Sequence, residues 1–242
     1  MNKLIGLFSF SKKEDQFLEA LDLLSTRLKK NNINSNIIKN KIVLDMGCGS
    51  GRYSYALKKL GAKKVIAIDK NININNKIKG VEFKQGDILK LTFKNNSFDF
   101  IFCNGKLSHT KNWRGGIKEA YRVLKPKGCF WLSLFGKGKI WDYANKVSKK
   151  LDKEDAENFK KYLLFRDWGS EKISFLIDSF FSNDRVYFTK EQIKSELLKQ
   201  GFKNIKFLNR GSEKDLNEKI YKNPKLKKIY GEGEIRLLAT KS

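Results

Sequence analysis

One histidine, two prolines and three cysteines are all that 242 residues hold of those types. The lone imidazole, His109, excludes any site that needs two. Cys48, Cys103 and Cys129 are odd in number, far apart and without C-x-x-C spacing, which argues against a disulfide framework and against a metal site. Free thiols fit a reducing, cytoplasmic setting. Acidic residues are scarce too: 26 Asp and Glu against 51 Lys and Arg leave a formal net charge of +25. Such a surplus suits nucleic acid or an anionic membrane surface. Its make-up argues otherwise. The basic residues are mostly Lys and spread along the chain, Lys, Asn, Ile and Phe share A/T-rich codons, and nucleic-acid readers favour Arg. Nucleic acid is therefore a disfavoured partner. No run of about 18 apolar residues exists, so no membrane-spanning helix is expected. The apolar patch Met1–Phe8 lacks a small-residue cleavage site after it, which argues against a signal peptide.

What is present suffices for one core: 40% of residues are hydrophobic and 12% aromatic, too many for a disordered chain. Phe17, Leu18, Leu21, Leu24 and Leu28 recur at helical spacing and predict an amphipathic helix over 12–30, within an N-terminal extension of residues 1–40. Short apolar runs at 41–46, 64–69, 81–83, 98–103 and 129–135 predict buried strands. Helices are expected over 52–60 and 113–124, the latter stopped by Lys125-Pro126-Lys127-Gly128. Strands alternating with helices predict an α/β domain, doubly wound around a mostly parallel sheet, over residues 41–242. The rhythm breaks at 136–188, a charged helical insert after strand five that is rich in aromatics: Trp141, Tyr143, Phe159, Tyr162, Phe165, Trp168, Phe175, Phe180, Phe181 and Tyr187. They either cap a substrate pocket or pack the insert's own core. Thr189–Gln200 predicts a capped helix ended by Gly201, and 202–208 and 234–239 two closing strands.

Chemistry concentrates after the first strand, at Asp45-Met46-Gly47-Cys48-Gly49-Ser50-Gly51. Three alternate glycines open a helix and let the backbone take positive φ and a ligand come close. The register is G-x-G-x-G, not the G-x-G-x-x-G of a dinucleotide site, and Arg52 stands where the third glycine would be. This disfavours a nicotinamide-dependent dehydrogenase. Asp69, with Lys70 beside it, ends strand two, where a carboxylate can accept both hydroxyls of a ribose. Asp87 and Ile88 follow strand three, suited to an adenine amino group and ring nitrogen, although Asp87 could equally cap its own loop. Asn104 and Gly105 end strand four, where ligands sit in such sheets. His109 follows as a candidate base, or as a residue that lines the pocket or caps the next helix. Arg166 and Arg185 are candidates for pairing with an anionic substrate, or else solvated surface residues.

The set VLDMGCGSG (43–51), AID (67–69), GDI (86–88), LTFKNNSFDFIFCNGKLSHT (91–110) and YRVLKPKG (121–128) resembles the class I S-adenosylmethionine-dependent methyltransferases. The resemblance covers 41–135 closely and the last two strands loosely. It implies a seven-stranded Rossmann-like sheet with an antiparallel last strand, and S-adenosyl-L-methionine as cofactor. It also implies Asp45, Gly47 and Gly49 around the amino-acid moiety, Asp69 on the ribose, and Asp87 with Ile88 at the adenine. Leu107-Ser108-His109-Thr110 departs from the family's common L-H-H-T at Ser108. The expected activity is methyl transfer to O or N of a small-molecule acceptor, a metabolite, sugar or lipid-linked molecule. The alternatives are an RNA methyltransferase and a non-catalytic cofactor-binding partner protein.

Overall fold

In the computed structural model, residues 13–71, 78–165 and 185–242 are described. Seven strands form one sheet in the order β3-β2-β1-β4-β5-β7-β6. They are β1 (Ile42–Met46), β2 (Lys64–Asp69), β3 (Val81–Gln85), β4 (Phe98–Asn104), β5 (Leu124–Phe135), β6 (Phe202–Phe207) and β7 (Glu234–Lys241). Pairing is parallel from β3 through β5, while β7 runs antiparallel to both β5 and β6. The central strands read as continuous apolar runs because helices cover both faces: Val43, Leu44, Met46, Ile101 and Phe102 are wholly buried. One core layer gathers Leu44, Ile101, Leu132, Ile193 and Leu237, and the other Val43, Leu57, Phe102 and Trp131.

The sequence order reverses direction between β1 and β4, so the carboxyl ends of these neighbours flank the switch point where such sheets bind ligands. Among the described residues the helices are α1 (Lys13–Lys30), α2 (Arg52–Lys59), α3 (Trp113–Val123), α4 (Lys139–Ser148), α5 (Lys153–Phe165), α6 (Lys190–Lys199), α7 (Leu216–Lys222) and α8 (Lys227–Tyr230). Thr189 caps α6 as expected, its hydroxyl accepting from the Gln192 N–H at 3.2 Å.

Three local differences from expectation have physical causes. The buried stripe of α1 is Ala20, Leu23, Leu24 and Leu28, while Leu18 lies 51% exposed. The segment expected to stop α3 is part of β5. Leu124 already pairs with Phe98, Lys125–Gly128 bulge out with Lys127 at φ +61°, and pairing resumes at Cys129 with Phe100. An ion pair from Lys125 Nζ to Asp99 Oδ1 at 2.8 Å pins the bulge to β4. Residues 208–233, which carry no clear period, hold α7 and α8.

That last region is tied to α1 by buried charge. Arg27 donates from Nε and Nη2 to the two oxygens of Asp215 at 3.1 and 2.5 Å, and from Nη1 to the Tyr53 hydroxyl at 2.8 Å. Arg236 of β7 approaches the same carboxylate at 3.3 Å. Burial opposes charge on Asp215, but the two guanidiniums hold its carboxyl below the usual range. The N-terminal helix is thus locked into the domain rather than appended to it.

Candidate functional site

The loop from β1 to α2 turns on three glycines in the left-handed region, Gly47 (φ +88°), Gly49 (+53°) and Gly51 (+85°). The Gly47 and Cys48 N–H groups donate to the Ile68 carbonyl at 2.8 and 3.0 Å, which folds the loop against the end of β2. A Cβ at Gly51 would strike the Phe83 ring, whereas one at Gly49 or Gly105 would meet nothing within 4 Å. The last two glycines therefore answer to backbone conformation and leave the cleft floor open.

Asp45 and Asp69 are both 2% exposed. Asp45 accepts the Ser54 hydroxyl at 2.5 Å. Burial raises its carboxyl to about 7, with Ser54 opposing and Asp69 reinforcing the rise. Asp69 accepts from the Gly49 and Asn71 N–H groups, each at 3.1 Å. The Lys106 ammonium spans both its oxygens at 3.2 and 3.0 Å. Lys106 was not among the residues the motifs point to. Its only sequence signal was its place directly after Asn104-Gly105.

Asp87 caps its own turn, accepting from the Leu89 N–H at 2.9 Å, and pairs with Lys70 at 3.0 Å. Desolvation is outweighed by these two partners, which hold its carboxyl below the usual range. Ile88 packs into the core. Ser50 is exposed at the loop tip. Cys48 is buried beside Asp45 and Asp69, and burial first, then these two carboxyls, pushes its thiol far up.

Asn104 contributes the site's unmatched atom. Its Oδ1 is buried and has no hydrogen-bond partner among the described residues. A buried acceptor left unpaired is costly, and one at the ligand-binding end of β4 suits a donor brought by a ligand.

His109 ends a 3-10 turn, Lys106–His109, and meets the Phe135 ring edge-on at 5.4 Å. It does not cap α3, since Asn112 does so by accepting from the Gly115 N–H. Burial first, then Arg185 and Lys106, push its imidazole down to about 4. Ser108, the departure from L-H-H-T, has a structural task. Its hydroxyl accepts from the Phe135 N–H at 2.9 Å, and its carbonyl accepts from Val186 at 2.9 Å.

Residues 185–188 thus return across the end of β5. Arg185 is half-buried, with its guanidinium 5.2 Å from the Phe135 ring centre. Trp141 of α4 stacks on Tyr187 at 6.1 Å and meets Tyr230 at 6.2 Å. Tyr143 and Tyr162 point outward, 63% and 58% exposed. Trp168, Phe175, Phe180, Phe181 and Arg166 lie outside the described residues.

A doubly wound sheet with a left-handed glycine loop after β1, a buried carboxylate after β2 and an unpaired buried amide after β4 defines a nucleoside-cofactor-binding α/β domain. Residues 44–132 match the family described as Methyltransferase domain. A tRNA U34 carboxymethyltransferase of Helicobacter pylori (strain HPAG1) is 30% identical over 106 residues, 39% of this chain and 41% of that protein. A sterol 24-C-methyltransferase of Kluyveromyces lactis is 27% identical over 109 residues, 40% of this chain and 29% of that protein. The matched region therefore spans well under half the length of these curated relatives. The crystal structure of a SAM-dependent methyltransferase from Thermotoga maritima shares the fold, with a TM-score of 0.57, 17% identity and 96% of each chain covered. Residues 44–132 thus form a methyltransferase domain, and the fold is that of the class I S-adenosylmethionine-dependent methyltransferases, which implies S-adenosylmethionine as cofactor. The open glycine floor and the unpaired Asn104 amide fit that cofactor.

Proposed function

We propose that this protein transfers the methyl group of S-adenosylmethionine to an oxygen or nitrogen of a small organic acceptor. The observation that carries the reading is a shared end of the sheet. The glycine loop, Asp69 and Asn104 lie at the carboxyl ends of β1, β2 and β4, and Phe135, with Tyr187 and Trp141 stacked beside it, lies at the same end of β5. In this reading Asp69 receives the ribose hydroxyls, Asp45 and Asn104 serve the amino-acid end, Asp87 and Ile88 flank the adenine, and residues 136–188 cap the acceptor. The cofactor supplies an already activated methyl group, so the chain's main contribution is to hold an acceptor in line with it. His109 would serve as a neutral, weakly basic wall. That favours acceptors whose attacking atom needs no strong base. Three free cysteines support a reducing cytoplasmic setting. No helix among the described residues is long and apolar enough to cross a membrane.

A second reading, RNA as acceptor, rests on the net charge of +25 and on the tRNA-directed name of the Helicobacter relative. One experiment separates the two. Methyl-labelled cofactor is incubated with the protein and, in parallel, total RNA or a small-metabolite extract. Label in the metabolite fraction alone is expected. Label at one defined RNA position would replace the first reading by the second, and no label in either would favour a non-catalytic cofactor-binding protein.

A further inference from the structure

The chain enters β7 through a short basic segment. Residues 219–230 read Lys-Ile-Tyr-Lys-Asn-Pro-Lys-Leu-Lys-Lys-Ile-Tyr, five lysines with no arginine among them. Its position in the fold is fixed. The Asn217 side chain bonds both the N–H and the carbonyl of Glu234. The Tyr230 ring meets Trp141 of α4 at 6.2 Å. Glu234, the first residue of β7, pairs with Phe135, the last of β5. The segment therefore stands at the carboxyl end of the sheet, beside the candidate site and on the side of Trp141 and Tyr187.

This segment turns apolar and basic groups outward together. Tyr221 is 57% exposed and Ile229 48%, with Leu226 half-buried between them. Lys225, Lys227 and Lys228 are exposed along the same stretch and form no ion pair among the described residues, whereas Lys222 pairs with Glu213. The adjoining α4 exposes Tyr143. An anionic bilayer uses both kinds of group: ammonium groups meet lipid phosphates, while aliphatic and aromatic side chains enter the headgroup boundary. Nucleic acid would use the same charge, but its readers favour the planar fork of Arg, and an isoleucine gains little against phosphate and sugar.

We propose that Tyr221–Ile229 is a docking surface for an anionic lipid bilayer. Lys225, Lys227 and Lys228 take the lipid phosphates, and Tyr221 and Ile229 enter the headgroup layer. The mouth of the cleft then lies next to the membrane surface. The docking does not depend on the methyltransferase reading above.

The test is co-sedimentation of the full chain with vesicles of phosphatidylcholine, alone or mixed with phosphatidylglycerol. The wild type should sediment with the mixed vesicles only, and added salt should release it. Each lysine near such a surface multiplies partitioning about fivefold. Replacing Lys225, Lys227 and Lys228 together by Gln should therefore lower it about tenfold or more. A control triple, Lys63→Gln, Lys94→Gln and Lys203→Gln, removes the same charge from exposed sites at the opposite end of the sheet. It should bind like the wild type. Ile229→Ser keeps every charge and should weaken binding about threefold or more. Unaltered circular dichroism shows that the variants fold. Binding of S-adenosylhomocysteine, the demethylated cofactor, is measured alongside and tests the methyltransferase reading separately. No binding of the wild type to the mixed vesicles, an equal loss in both triple variants, or wild-type binding by Ile229→Ser overturns the inference. So does a labelled single-stranded RNA that binds more tightly than the vesicles and is lost in the first triple alone, which would assign the surface to nucleic acid.

Discussion

Removing the charge from Asp45 should change how stability depends on pH. Asp45 is 2% exposed, and burial lifts its carboxyl from 3.8 to about 7. The folded protein keeps this proton up to about pH 7, while the unfolded chain releases it near 3.8. Between those values the folded state binds more protons, so stability falls as pH rises. The penalty is absent below the lower value and complete above the upper one. At about 1.36 kcal/mol per pH unit, a window of roughly three units is worth about 4 kcal/mol at most, and polar relaxation around a buried charge lowers it. Asp45→Asn keeps the shape and an acceptor for the Ser54 hydroxyl but cannot ionise. Urea unfolding followed by tryptophan fluorescence at pH 4.5 and pH 8 measures the effect. At the lower pH, just inside the window, the variant should be the more stable by no more than about 1 kcal/mol. At the higher pH the variant should be the more stable by about 2–4 kcal/mol. All other titrating groups are common to both, so only the difference between the two profiles counts. Parallel profiles would show that Asp45 is ionised throughout and that the burial argument is wrong.

Asp69→Ala should weaken S-adenosylhomocysteine binding by about tenfold or more, since hydrogen bonds to a charged group are worth about 1.5–3 kcal/mol. Calorimetry with an unchanged circular dichroism spectrum checks this. Arg27→Met leaves Asp215 with the more distant Arg236, and breaking a buried pair of this kind costs about 3–5 kcal/mol. A shift in the urea midpoint that is within error of zero would refute that pairing. His109→Asn should lower turnover less than tenfold once an acceptor is known, because an imidazole held near 4 is a poor base at neutral pH. A fall of about a thousandfold with unaltered cofactor affinity would make His109 the base.

Wherever a strand is covered on both faces, its apolar run is continuous and was legible, as at Val43–Met46 and Val65–Asp69. The glycine loop was legible because positive φ at three alternate positions restricts the residue type. What escaped were features made by single residues far apart in the chain. Arg27 meets Asp215 across 188 positions, and no period links them. Lys106 gains its place only from the missing Cβ of Gly47 beneath it. Leu124–Gly128 carried a helix stop followed by a turn, yet Asp99 across the sheet recruits the segment into β5. Leu18 had the right spacing but faces outward, because the stripe that meets α2 runs through Ala20, Leu24 and Arg27.

The placement of β7 sets an order of assembly. Among the described residues β6 pairs only with β7, and β7 is the strand that joins it to β5. On the ribosome Phe202–Phe207 emerges before Glu234–Lys241. At about 5–20 residues per second, β6 waits on the order of seconds with no neighbour to pair with. Its sequence, Phe-Lys-Asn-Ile-Lys-Phe, carries two lysines through that interval, and charge on an unpaired strand resists edge-to-edge association. At this strand two of the many lysines therefore stand where charge opposes edge-to-edge association, a use of basic residues that needs no partner for the finished protein.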